Sequence, residues 1–152
     1  MREILFRGKS TNGIGWIEGS LRITTIQPAD DAPYKQYEIE DTTLGLFPND
    51  FMCGICETVD SETVGQFTGL TDKNGKKIFE GDIVAQNWYD HNEPADDSFG
   101  EVVFCEYDCS FSVMDVEKDG IVPLGKCHAY HWEAEVIGNI HDNPDLLIRY
   151  GG

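Results

Sequence analysis

Basic residues are scarce in this sequence. Its 152 residues include 11 Lys and Arg against 28 Asp and Glu, a formal charge of −17. Affinity for nucleic acid comes mainly from Lys and Arg on phosphates, so direct nucleic-acid binding is not expected. Docking on an anionic membrane is disfavoured for the same reason. Long apolar runs are also missing. Ile4-Leu5-Phe6 is too short for a signal-peptide core, and Val102-Val103-Phe104-Cys105 falls far below a membrane span. A soluble protein of the bacterial cytoplasm is expected. No stretch sustains a 3.6-residue apolar period, which excludes a helical bundle. The five cysteines are odd in number and irregularly spaced, which predicts reduced thiols and not a disulfide framework.

What is present is enough to fold. Forty per cent of the residues are hydrophobic and 11% aromatic. A single domain of this length buries roughly 70% of its unfolded surface. The pattern is strand-like. A segment opening at Ile4-Leu5-Phe6 and one from Ile14 to Ile23 flank the turn residues Ser10-Thr11-Asn12-Gly13, which predicts a hairpin. Gln27 to Pro33 reads as a polar loop. Tyr37 and Ile39 alternate with Glu38 and Glu40, the period of a half-buried strand. These N-terminal strands, residues 1–60, form a subregion of the expected single domain. Asp60 to Val64 reads as no more than a turn. Asp72-Lys73-Asn74-Gly75 is a strong turn signal, because Asp and Asn satisfy local donors and Gly accepts a left-handed conformation. Glu80-Gly81-Asp82 is a second corner, with a strand starting at Ile83.

Further on, Asp90 to Ser98 carries an acidic run without a nearby cation and is expected to be a long, mobile loop. Val103, Cys105, Tyr107, Cys109, Phe111 and Val113 share one parity over eleven residues. Strands average about 5–6 residues, so this predicts two strands with a bend near Asp108. On that parity Cys105 and Cys109 are expected in the core as small apolar side chains. A last strand is expected over 133–140. Asn143-Pro144-Asp145 then offers a cap followed by proline, the start of a short helix. The expected fold is mainly β, a small antiparallel barrel with inserted loops and at most short helices.

Several groupings invite chemistry. Cys53 and Cys56 have the spacing of a metal or redox pair, and Cys127, His128 and His131 are the candidate second half of a zinc site. Adjacent Cys127 and His128 rarely reach one ion, and no second CxxC exists, so unligated strand cysteines are the preferred reading. His128, Tyr130, His131 and Trp132 form an aromatic group in which a base could sit, but no nucleophile motif accompanies it. Between Ile78 and Glu117 there are eleven acidic residues and no Lys or Arg. Paired carboxylates could hold a divalent ion or work as acid and base. No EF-hand loop is present, and Glu80 and Asp82 are expected to be solvated.

The stretch Glu62-Thr63-Val64-Gly65-Gln66-Phe67-Thr68-Gly69-Leu70-Thr71-Asp72-Lys73-Asn74-Gly75-Lys76-Lys77-Ile78-Phe79-Glu80-Gly81-Asp82-Ile83-Val84 resembles the central signature of YopX-type proteins of phages and prophages. The opening Ile4 to Lys9 with Gly15 to Leu21, and the closing Glu135 to Pro144, are similar to that family's start and end. Gln27 to Asp60 and Gln86 to Gly100 carry no such match. The resemblance implies a phage- or prophage-encoded cytoplasmic accessory protein with an SH3-like barrel around Phe79 to Val84. It carries over no activity and no catalytic, cofactor or metal residue. The signature has a plain structural reading, a turn and a glycine kink of the kind a small barrel needs, beside a binding role for exposed Thr68, Lys73 or Glu80.

Three functions remain in order: a non-enzymatic module binding a protein partner, itself basic or a second copy; an acidic decoy occupying a host protein's nucleic-acid site; and a carboxylate- or metal-dependent hydrolase. The decoy predicts a continuous line of carboxylates, because duplex DNA carries one charge per roughly 1.7 Å. The hydrolase predicts a concave pocket with convergent polar groups.

Overall fold

A computed structural model of the chain describes residues 2–41, 55–125 and 129–150. The architecture is mainly β, in antiparallel sheets, with one short 3-10 turn and one helix. It divides into two compact units, Met1–Phe67 and Thr68–Gly152.

In the first unit the strand order is β4-β3-β2-β1-β5. The strands are β1 (Phe6–Lys9), β2 (Trp16–Ile26), β3 (Tyr34–Asp41), β4 (Ile55–Thr58) and the opening of β5 (Gly65–Thr71). The predicted first hairpin is present, with Lys9 opposite Trp16 and Phe6 opposite Gly19. Beyond Gly19 the long β2 changes partner and pairs β3 from Ser20 to Ile26. Gly19 permits this crossing: a Cβ there would lie 1.8 Å from the Glu40 carbonyl oxygen. The core is small: Ile17, Ile39 and Val59, flanked by Phe6, Leu21, Tyr37 and Val64. The Asp60 to Val64 turn is a 3-10 turn, Ser61–Thr63, capped by Asp60. Its Thr63 hydroxyl accepts the Lys9 N–H at 2.8 Å and donates to the Asp60 carbonyl.

The second unit holds the rest of β5, its neighbour β6 (Lys77–Phe79), and a five-stranded sheet ordered β10-β9-β8-β7-β11. These are β7 (Asp82–Asp90), β8 (Glu93–Cys105), β9 (Ser110–Asp115), β10 (Gly120–Pro123) and β11 (His131–Asn139), followed by α1 (Asp145–Tyr150). Its core gathers Ile78, Val84, Val102, Val113 and Ala134 under Leu70, Leu124, Trp132 and Val136. Each such side chain, fully buried, contributes about 1.5–3 kcal/mol for the larger aliphatics.

Several expectations change. The five-stranded sheet ends in edge strands β10 and β11, so no closed barrel forms among the described residues. Asp90 to Ser98 is not a loop. β7 and β8 form one long hairpin in which Asp90 pairs Glu93 and Gln86 pairs Ser98. The turn is only His91-Asn92, both with positive φ (46° and 72°), the conformation that matches strand twist in two-residue hairpins. Pro94 is tolerated because β9 reaches only to Gly100, leaving β8 partnered on one side there. The acidic run also has a cation, supplied from 22 residues away: Lys118 Nζ lies 2.7 Å from Asp96 Oδ1.

The parity reading of the next segment fails at its middle. Two strands with a bend are present, β8 ending at Cys105 and β9 starting at Ser110. Cys109, with φ 52°, shifts the phase between them. Val102 and Val113 are the buried pair, Cys105 is only partly covered, and Cys109 is exposed.

Candidate functional site

The signature region is built around buried carboxylates. Asp72, in the predicted turn, accepts the N–H groups of Asn74 (2.8 Å) and Lys76 (2.9 Å) on Oδ1, and that of Val136 (3.0 Å) on Oδ2. The Lys73 N–H donates to the Ala134 carbonyl. The turn thereby covers backbone groups of edge strand β11, which blocks pairing with another chain there. Burial opposes ionisation of Asp72. The three backbone donors and nearby Lys76 outweigh it and hold the carboxyl below its ordinary range.

Asp82 is 1% exposed, not solvated as expected, and its Oδ2 accepts the Phe79 N–H at 2.8 Å. Gly81, at φ 83°, makes the corner; its N–H donates to the Val102 carbonyl and its own carbonyl accepts from Ile140. Asp115, 2% exposed, repeats the device: Oδ1 accepts from Glu117 and Lys118 and Oδ2 from Phe99. Of the three residues considered for binding, Thr68 is buried and its hydroxyl donates to the Ile78 carbonyl. Lys73 is paired with Glu135 at 2.9 Å, and Glu80 is half-buried. The signature is thus a structural corner whose polar groups are largely turned inward.

The zinc candidates Cys53, Cys127 and His128 lie outside the described residues. Cys56 stands on β4, where desolvation and the Glu38 carboxylate push its thiol up against the opposing effect of Arg22. A protonated thiol is a poor nucleophile and ligand. His131 opens β11 with Nε2 3.3 Å from Glu133 Oε1 and its ring beside Tyr89. Among the described residues no three His, Cys, Asp or Glu side chains are grouped so as to hold a metal ion.

The sheet also carries a buried polar hub that the strand alternation could have suggested, because Gln86 shares parity with Val84 and Trp88. Fully buried, the Gln86 amide donates to Ser98 Oγ (2.8 Å) and the Pro123 carbonyl (3.1 Å), and accepts from Trp132 Nε1 (3.0 Å) and the Gly125 N–H (3.4 Å). Trp88 Nε1 donates to the Gly125 carbonyl. All four hydrogen-bonding positions of the amide are filled, so the hub holds residues 123–125 against the sheet. Over it opens a cleft of about 400 Å³ lined by Trp88, Asp96, Val122, Pro123, Leu124 and Tyr130, among others.

The second exposed feature is the tip between β8 and β9. Phe104 and Phe111 stack edge to face at 5.3 Å behind it. At the apex Tyr107 is 97% exposed, between Glu106 and Asp108. Neither carboxylate has a Lys or Arg partner among the described residues. Parity reasoning missed Tyr107 by assigning it to the buried face.

Comparison with known proteins places these features in a lineage. No curated protein matches the chain. Among solved structures it is similar to the crystal structure of protein EF1440 from Enterococcus faecalis, at 25% identity over 97% of this chain and 99% of that one, with a TM-score of 0.47. The family model described as YopX protein matches residues 17–148, which takes in the signature corner, the cleft and the tip. The chain belongs to the YopX family.

Proposed function

We propose that this chain is a non-enzymatic accessory module, encoded by a phage or prophage and acting in the bacterial cytoplasm, that binds a basic surface on a partner protein. The observation that carries this reading is the β8–β9 tip: an almost fully exposed tyrosine between two carboxylates that no Lys or Arg neutralises among the described residues. Aromatic anchors with a charged surround are what interfaces concentrate, because the ring supplies large area at small entropic cost and the charges steer encounter. The edges of the five-stranded sheet favour a different protein over a second copy as the partner. β11 is covered at Ala134 and Val136. β10 is four residues long and ends in Pro123, which lacks an N–H and gives its carbonyl to Gln86. The decoy reading draws less support: three of the acidic residues are buried at turns, and Asp96 and Glu135 are ion-paired. A hydrolase reading would need those same buried aspartates for chemistry, whereas they accept backbone N–H groups.

The test is site-specific photo-crosslinking in the host, with benzoyl-phenylalanine in place of Tyr107. One adduct is expected, lost with Glu106→Lys and Asp108→Lys together, weakened by salt, and absent when the probe replaces exposed Ile148 (72% exposed). An adduct of equal yield at both positions, or one indifferent to charge reversal, would overturn the proposal.

A further inference from the structure

The cleft over the Gln86 hub already holds a cation at its rim. Lys118, on the turn after β9, is aimed there by its own N–H, which donates to buried Asp115 at 2.7 Å. Its ammonium contacts two acceptors on adjacent residues, the Asp96 carboxylate at 2.7 Å and the Asp97 carbonyl. Asp96 is the one acidic residue among the described residues that line the cleft. With Lys118 as the first cause and the Asp97 N–H as the second, its carboxyl lies below the ordinary range, so it is anionic wherever the protein functions near neutrality. The rest of the described lining is mainly apolar or aromatic: Val122, Pro123, Leu124, Trp88, which is buried, and Tyr130, which is 40% exposed.

We infer that this cleft is a subsite for an arginine side chain of the partner, and that Lys118 occupies its anionic end in the free protein. This rests on the reading of the chain as a module for a basic partner and names the group that partner inserts. A carboxylate and a carbonyl on neighbouring residues suit the forked donors of a guanidinium better than a single ammonium. A guanidinium is also weakly hydrated and stacks on aromatic rings, so it loses less than lysine on entering an apolar-walled cleft. Exchange is cheap, because the resident pair is solvent-accessible: the side chains of Lys118 and Asp96 are 40% and 59% exposed. Lys118 acts as an internal competitor that keeps the cleft closed to weak cationic ligands.

The probe is the peptide acetyl-Gly-Arg-Gly-amide, with its citrulline counterpart as a neutral control of equal shape. The readout is the Trp88 indole N–H resonance, with that of Trp16 in the first unit as internal reference. In the wild type the arginine peptide is expected to shift Trp88 weakly. Lys118→Met, which keeps the stem and removes the charge, is expected to tighten binding about two- to fivefold, the strength of the exposed ion pair it removes. Asp96→Asn should abolish the shift in either background, and citrulline should produce none. No Trp88 response in the folded Lys118→Met protein would overturn the subsite. Equal affinity in wild type and Lys118→Met would overturn the competitor role, and an equal response to citrulline would overturn charge recognition. Crosslinking at Tyr107 reads a separate surface, so failure of the subsite and failure of the module reading are distinguishable.

Discussion

The corner at Gly81 and the tip at Tyr107 are both turns of the second unit with acidic residues in them. At the corner Asp82 is enclosed and accepts the Phe79 N–H, while Asp72 in the preceding turn accepts three N–H groups. At the tip Glu106 and Asp108 are exposed, with an exposed ring between them, and Asp108 takes a long contact from the Cys105 thiol at 3.9 Å. The carboxylate is the same group in both places. Its role is set by whether backbone donors converge on it, as they do where a strand turns sharply into the core. Acidity in this chain is therefore two populations, one that closes turns and one that faces outward.

The sharpest way to break this comparison is at Asp82. Replacing it with Ala removes the carboxylate to which the buried Phe79 N–H donates, and the loss of a charged acceptor costs about 1.5–3 kcal/mol. Asp82→Ala is expected to lose about 3 kcal/mol, read as a fall in the urea midpoint at unchanged slope. An exposed carboxylate, as the sequence alone suggested here, would lose almost nothing.

Asp72 comes next, and pH is the probe. Its folded-state carboxyl lies below the ordinary value of about 3.9. The stability it contributes is therefore present above that value and is lost as pH falls through the lower folded-state value. Asp72→Asn is expected to cost about 2 kcal/mol near pH 6. The deficit relative to wild type should shrink as pH falls below the ordinary carboxylate range, as the wild type loses that contribution. A deficit independent of pH would mean that the charge of Asp72 plays no part.

Much of the strand map was legible because it rests on local chemistry. Asn12-Gly13, Asp72 to Gly75 and Gly81 mark real turns, and Tyr37 with Ile39 marks a real strand. What failed depended on contacts distant in sequence. Asp90 to Ser98 looks like a loop until Lys118 is brought to Asp96 and β7 supplies the pairing. The burial of Asp82 and Asp115 is invisible to hydropathy, because it is the geometry of backbone donors that makes it affordable. Cys105 and Cys109 were misplaced because one residue at positive φ, Cys109, resets alternation. The cleft was not legible at all: Gln86, Trp88, Pro123 and Tyr130 are scattered along the chain and meet only in the sheet.

Gly81 separates backbone from side-chain effects at the corner. A Cβ there would meet nothing closer than 3.7 Å, so Gly81→Ala is opposed by its φ of 83° and not by a clash. The expected loss is about 1 kcal/mol, the usual cost of a left-handed non-glycine residue. A loss as large as that of Asp82→Ala would show that the corner cannot relax around a methyl group.

The smallest stability effect belongs to the tip. Tyr107 buries almost nothing, so Tyr107→Ala is expected within about 0.5 kcal/mol of wild type by the same urea titration. Glu106→Lys and Asp108→Lys together should be equally silent, because neither carboxylate neutralises a cation or accepts a buried donor among the described residues. Phe104→Ala would be less silent, because its ring packs on Phe111. This contrast is the informative one. An aromatic side chain with no stabilising role, held in water by a turn whose own geometry comes from Cys109 and the flanking strands, is neutral to folding. If it also proves indispensable to the crosslinked complex, the tip is where the outward carboxylates act. If Tyr107→Ala instead destabilises the fold by more than 1 kcal/mol, the ring packs in solution against the molecule itself, and the division between inward and outward acids must be drawn elsewhere.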